Sequence, residues 1–169
     1  MTIAETTNSS LTNQQLGLFM QYTIEAYKTF QKYAESLPNP MAAGMFKQFA
    51  TDERLNRDLL EMKIASIPGT NVRATLGADT IFAEVLEGEL GYHEQAEFLI
   101  SREKTMQRKL RELINAAIPA DKNIMIFIET MKRSHIVELE RELELIRVDR
   151  DWWKREDAEA RIVYGPAYE

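Results

Sequence analysis

Apolar residues recur at spacings of three and four along most of this chain, which is the period of one face of an α-helix. The first such stripe consists of Leu16, Phe19, Thr23, Ala26, Phe30, Tyr33 and Leu37. Three further stripes follow, and no segment alternates apolar and polar residues for long enough to form a β-strand. The pattern therefore predicts an all-α protein with four long helices.

Capping signals predict where the first two helices begin and end. Thr12 and the glutamine three residues later have the spacing of a capping box, so the first helix is expected to follow Thr12 and to run to about Leu37. Asn39 can cap the second helix, with Pro40 at its first position. That helix is expected to run to about Ile67, where a Pro-Gly turn ends it.

The connection to the third long helix is long and less regular, and a short helix is expected within residues 80–90. The third long helix should begin between Gly91 and Glu94 and end at Pro119. Asp121 can then cap the fourth helix.

The first and third stripes superimpose at a shift of 80 residues. The matched pairs are Phe19 with Leu99, Thr23 with Glu103, Phe30 with Leu110, and Leu37 with Ala117. The chain therefore resembles two helical hairpins joined by a long crossover. A four-helix bundle with one long crossover has the ferritin-like topology rather than the up-down-up-down one.

Three regions are predicted: a flexible tail at residues 1–11, the bundle at 12–150, and a C-terminal helical extension at 151–169. The fourth helical pattern can continue past Trp153, and neighbouring tryptophans point in different directions on a helix. One bundle can hardly bury both Trp152 and Trp153, so the extension should fold back along the bundle or pack on another subunit. Because Trp and Tyr are favoured at interfaces, we expect a homodimer formed through this aromatic segment.

Composition limits the function classes. A net charge of −6 argues against nucleic acid as the main partner. No apolar run approaches the roughly 20 residues that span a bilayer, so no membrane association is expected. The first ten residues lack the pattern of a secretory signal, and a cytoplasmic location is expected. With no cysteine and two histidines, any metal site must rest mainly on carboxylates.

Polar residues within the apolar stripes are the candidate site. Glu103 lies on the core side of the third helix, where a carboxylate is costly unless a cation, a partner or a proton compensates it. Glu53 and Asn56 stand three residues apart on the second helix, and His135 and Glu138 stand three residues apart on the fourth. Three helices thus offer oxygen or nitrogen ligands at a comparable depth, and such ligands suit iron, manganese or zinc.

The segments around Glu53 and Glu103 resemble the second and third helices of rubrerythrin-like proteins of the ferritin family. The first segment reads FKQFATDERLNRDLL and the second ISREKTM. The resemblance covers roughly residues 16–146. It implies a two-iron carboxylate centre, with one glutamate from each of two helices and a Glu-x-x-His motif from each of the other two. The family uses that centre for peroxide reduction, oxygen activation or iron oxidation.

The sequence departs from this pattern at the ligand positions. Thr23 stands where the first-helix glutamate is expected, Asn56 replaces the second-helix histidine, and Lys132 stands three residues before His135. The ligand set that remains consists of Glu53, Glu103, His135 and Glu138. It can hold one iron or manganese ion but hardly a bridged pair.

Two functions stay open. The first is a metal-free bundle that serves as a scaffold or interaction module, in which Glu103 pairs with Lys132 or another base. The second is an iron- or manganese-binding oxidoreductase or iron-handling protein that uses the reduced ligand set. Glu138 also begins a run of alternating glutamates at positions 138, 140, 142 and 144, which is typical of a solvated face that pairs with nearby arginines. The sequence predicts no particular reaction or substrate.

Overall fold

A computed structural model of the protein describes residues 11–69 and 90–165. Its helices are α1 (Asn13–Ser36), α2 (Pro40–Ala65), α3 (Tyr92–Ala116), α4 (Pro119–Val148), a 3-10 helix (Trp152–Lys154) and α5 (Ala158–Tyr164). Within these two ranges no strand occurs, which confirms the all-α prediction. The predicted tail and the predicted short helix of the crossover fall almost entirely outside the described residues.

The sequence signals for the first two helices are confirmed. Thr12 Oγ1 accepts a hydrogen bond from the Gln15 amide at 3.1 Å, and Gln15 Oε1 accepts one from the Thr12 amide at 2.9 Å. Asn39 Oδ1 accepts from the amides of Met41 and Ala42, and these bonds satisfy donors that the first turn of a helix leaves unpaired.

The predicted cap of α4 is wrong. The helix begins at Pro119, because proline fixes a helical φ and lacks the amide proton that the first turn would leave unsatisfied. Asp121 lies inside that first turn and is used in tertiary contacts instead. Its Oδ2 accepts a hydrogen bond from the Leu11 amide at 2.9 Å, and its Oδ1 pairs with Lys63 of α2.

The four long helices pack side by side around one core. The residues matched by the 80-residue shift are all buried: Phe19, Thr23, Phe30, Leu37, Leu99, Glu103, Leu110 and Ala117. The predicted stripes of α1 and α3 therefore do face the interior, and burial of this apolar surface is the main driving force for their packing.

Contacts between the helices define their directions. Asn39, before α2, bonds to Trp152, after α4, whereas Lys63 near the end of α2 pairs with Asp121 at the start of α4. Helices α2 and α4 are therefore antiparallel. Helices α1 and α3 are antiparallel as well, because Tyr22 contacts Glu103 and Tyr33 contacts Gln95.

Each of the two hairpins is antiparallel, so α1 and α4 point one way and α2 and α3 the other. The chain consequently leaves α2 at one end of the helices and enters α3 at the opposite end, where the ring of Tyr92 lies 5.4 Å from that of Trp153. Residues 70–89, to which the long crossover was assigned, are outside the described residues.

The prediction that one bundle cannot bury both tryptophans is wrong. Helix α4 ends at Val148, and the chain then forms a 3-10 turn that directs both indoles inward, so that Trp152 is 4% exposed and Trp153 is fully buried. Both Nε1 atoms donate to Glu142 Oε2, at 2.7 and 3.2 Å. Glu142 is 3% exposed, so the solvated face predicted for the glutamate run is wrong at this position.

Candidate functional site

A layer of polar side chains crosses the centre of the four helices. Helix α1 contributes Tyr22, α2 contributes Glu53, α3 contributes Glu103, and α4 contributes Lys132 and His135. None of these residues is more than 1% exposed. Each stands at a core position of its helix, so the periodicity that builds the apolar core also brings these polar groups together.

Lys132 lies between the two buried carboxylates. Its ammonium contacts Glu53 Oε1 and is 3.1 Å from Glu103 Oε2. It also lies 4.6 Å from the centre of the Tyr22 ring, where the negative face of the ring attracts a cation. Burial lowers the pKa of Lys132 well below its ordinary value, and the charge of Asp52 opposes that shift. The contacts with two carboxylates favour the charged ammonium.

Tyr22 fixes the position of Glu103 from the α1 side. Its hydroxyl donates a hydrogen bond to Glu103 Oε2 at 2.8 Å. Burial raises the pKa of Tyr22 well above its ordinary value, the charge of Glu103 raises it further, and Arg102 opposes the shift. Tyr22 is therefore a neutral phenol and a hydrogen-bond donor at physiological pH.

His135 connects this layer to the protein surface. Its Nε2 lies 2.9 Å from Oδ2 of Asp52, a side chain that is 16% exposed. Burial raises the pKa of Asp52, but hydrogen bonds with His135 and Gln48 lower it by more, so the carboxylate is ionised. An ionised Asp52 requires the proton on Nε2. The other ring nitrogen, Nδ1, then faces Glu103 Oε1 at 3.4 Å and Glu53 Oε1 at 3.7 Å.

Two carboxyl groups share one ammonium in this layer. If Glu53, Glu103 and Lys132 are all ionised, one negative charge remains among these three side chains, which are removed from water. Glu53 Oε2 has no hydrogen-bond partner among the described residues. A buried carboxylate in this situation favours a further proton or cation, because an uncompensated buried charge costs several kcal/mol.

Glu53, Glu103 and His135 can hold a metal ion. Each offers one ligand atom, and the three atoms lie within 4.8 Å of one another. The arrangement of His135 also suits a metal, since ligating histidines commonly donate a hydrogen bond from the N–H of their second ring nitrogen to a carboxylate, as His135 does to Asp52. Two carboxylates with one imidazole are a donor set for iron, manganese or zinc.

The same residues do not fit a bridged pair of ions. Thr23 donates its hydroxyl proton to the Met20 carbonyl at 2.8 Å and supplies no carboxylate. Asn56 is fully buried, and its Oδ1 and Nδ2 have no hydrogen-bond partner in the described part of the chain. An amide is a weak substitute for the imidazole expected there, so the donor set suffices for one ion at most.

The sequence-predicted ligands divide into two groups. Glu53, Glu103 and His135 come together, whereas Glu138 is only half-buried and does not belong to the group that can hold an ion. Sequence reasoning missed Tyr22 and Asp52 as parts of the site. Tyr22 is adjacent in sequence to Thr23, and Asp52 is adjacent to Glu53. Only the distances between helices show that Tyr22 and Asp52 contact the polar layer.

Arg102 is a second buried cation near the layer that the sequence pattern did not indicate. It is 5% exposed, and its Nη1 donates to Thr29 Oγ1 at 3.2 Å. Its guanidinium lies 5.9 Å from the centre of the Tyr22 ring and 5.5 Å from that of Phe30. Arg102 therefore supplies positive charge on the side of Tyr22 that faces α3.

Among the described residues, no helix is long and apolar enough to cross a bilayer. Comparisons of this chain with protein-family models, with curated proteins and with solved structures give no match.

Proposed function

We propose that this protein is a ferritin-like bundle without a complete di-iron centre, which acts as a scaffold or interaction module. One observation carries the proposal: the ammonium of Lys132 contacts both Glu53 and Glu103, in the space between the carboxylates where a metal ion would bind. A tethered ammonium there replaces a metal as the cation that makes burial of two carboxylates tolerable.

The directions of the helices support the ferritin-like part of the proposal. Helix α2 ends at one end of the bundle and α3 begins at the other, so the two hairpins require a connection that runs the length of the helices. A single long connection between two antiparallel hairpins distinguishes ferritin-like bundles from simple up-down-up-down bundles.

Metal loading tests the central claim. The purified chain, prepared without chelators, is incubated with iron(II), manganese(II) or zinc(II), desalted and analysed for metal. We expect the wild-type chain to retain far less than one ion per chain. Lys132→Met removes the ammonium at similar volume and should raise retention, whereas Lys109→Met, which changes an exposed lysine of α3, should not. Retention of about one ion per wild-type chain would overturn the metal-free proposal.

A second candidate function is a single-metal protein that uses iron or manganese for redox chemistry. The observation that favours it is the Glu53, Glu103 and His135 group, together with the hydrogen bond between His135 and Asp52. In this case the wild-type chain retains one ion, and Glu103→Gln removes it. A bound iron or manganese ion would supply electron transfer, and Tyr22 would orient Glu103 through its hydrogen bond.

The interaction module is proposed to be a homodimer formed through the C-terminal segment. The tryptophans are buried within their own chain, so the surface available for this contact is α5, where Ile162, Val163 and Tyr164 are 53%, 64% and 67% exposed. Sedimentation equilibrium of the wild type and of Val163→Glu tests the proposal. We expect a dimer that the variant weakens, with Val148→Glu, an exposed apolar residue at the end of α4, as the control.

A further inference from the structure

A groove lies between α1 and α2, beside the polar layer. Its volume is about 400 Å³, which is within the range of small-molecule sites. It is lined by Thr23, Ile24, Tyr27, Lys28, Glu53, Arg54 and Arg57. The groove thus runs from exposed side chains to Glu53, which is itself part of the buried layer.

The mouth of the groove is basic. Lys28, Arg54 and Arg57 are exposed there and form what we call the basic rim. Arg57 bonds to Asp58 at 2.8 Å, whereas Lys28 and Arg54 have no ion pair among the described residues. One of these cations lies on α1 and the other two lie one turn apart on α2. In a protein whose net charge is −6, they form a local site for an anion.

The inner end of the groove accepts hydrogen bonds. Thr23 and Glu53, 1% and 0% exposed, form this acceptor floor. The hydroxyl proton of Thr23 is donated to the Met20 carbonyl, so only its lone pairs remain available. Glu53 Oε2 has no hydrogen-bond partner within the described residues. A ligand group that reaches the floor is therefore favoured if it donates a hydrogen bond, as a hydroxyl or an amine does.

Ile24 and Tyr27, both half-buried, form the apolar wall of the groove. We propose that this groove binds a small amphipathic anion with a carboxylate at the basic rim, an aromatic body against the apolar wall and a hydroxyl donor directed to the acceptor floor. Glu53 belongs both to this floor and to the buried layer, whereas the basic rim and the apolar wall belong to the groove alone.

Three probes separate the recognition elements. The full chain, labelled with nitrogen-15, is titrated at low salt with para-hydroxybenzoate, benzoate and para-hydroxybenzamide, and amide chemical shifts are followed. We expect para-hydroxybenzoate to bind, with the largest shifts at residues 23–28 and 53–57. Loss of the hydroxyl or of the charge should each weaken binding about tenfold, because a hydrogen bond to a charged group contributes at least that factor.

Variants of the rim test the location. Lys28→Gln and Arg54→Gln should each weaken para-hydroxybenzoate severalfold and flatten its dependence on salt. Arg108→Gln changes an exposed arginine of α3 outside the groove and should leave the affinity unchanged.

Three results would overturn the proposal. The first is the absence of binding by both para-hydroxybenzoate and its longer homologue para-hydroxyphenylpropionate. The second is equal affinity for para-hydroxybenzamide and para-hydroxybenzoate. The third is binding that Lys28→Gln and Arg54→Gln leave unaltered, which would place the ligand elsewhere on the chain.

Discussion

Replacing Lys132 with methionine should strongly destabilise the protein. Lys132 is fully buried, and its ammonium contacts both Glu53 and Glu103. Methionine preserves most of the volume of the side chain but removes the charge. The two buried carboxyl groups then lose the ammonium that lies between them. Breaking a buried ion pair in this way costs about 3–5 kcal/mol, which is a large fraction of the 5–15 kcal/mol typical of a domain.

Urea unfolding followed by far-ultraviolet circular dichroism measures this loss at neutral pH. The matched control is Lys109→Met on the exposed surface of α3, which should change the free energy of unfolding by no more than about 0.5 kcal/mol. Glu53→Gln is the second comparison. It removes one of the two carboxylates while Lys132 keeps Glu103 as a partner, so it should cost less than Lys132→Met.

A different ranking would refute this reasoning. If Lys132→Met changes the free energy of unfolding by less than about 1 kcal/mol, the ammonium does not compensate the carboxylates in the folded protein. If Glu53→Gln is the more damaging of the two substitutions, the excess negative charge is already neutralised, either by a proton or by a cation other than Lys132.

Three further substitutions test the contacts at the two ends of the bundle. Asn39→Ala loses the cap of α2 and the bond to Trp152, and should cost about 2 kcal/mol in urea unfolding. Trp153→Ala should cost about 3–5 kcal/mol, seen as a lower thermal midpoint, because it empties a fully buried site. Burial raises the pKa of Asp121, but bonds to Lys63 and Leu11 lower it by more, to below 3.8. Its stabilisation is therefore complete above pH 3.8 and lost as pH falls through the depressed pKa, so Asp121→Asn should flatten acid unfolding measured by fluorescence.

The helices could be predicted because their signals are local. The capping residues Thr12 and Asn39 act within one turn, and the structure confirms both. The position of Asp121 was misread because its partners, Leu11 and Lys63, are distant in sequence. A carboxylate near a helix start indicates a cap only when no tertiary partner competes for it, and such partners cannot be recognised from local sequence.

The candidate site was predicted only in part, because local signals could be recognised in the sequence and contacts between helices could not. Glu53, Glu103 and His135 were found because polar residues in apolar stripes stand out within a single helix. Glu142 was misassigned because alternating glutamates indicate exposure, whereas the two indole donors that bury it come from a turn after the helix. The contribution of Tyr22 to the layer depends on a distance between α1 and α3, which no spacing in one helix determines.

The choice between the two proposed functions depends on which cation lies between Glu53 and Glu103. An ammonium brings one positive charge to the two carboxylates, whereas a divalent ion would bring two. The ammonium has the advantage of being tethered to α4, so no free ligand has to be immobilised and its effective concentration is high. A metal must therefore displace the ammonium of Lys132 before it can bind both carboxylates. Metal affinity should accordingly rise when Lys132 is replaced, and a wild-type chain that binds metal as tightly as Lys132→Met would show that the lysine is not in competition.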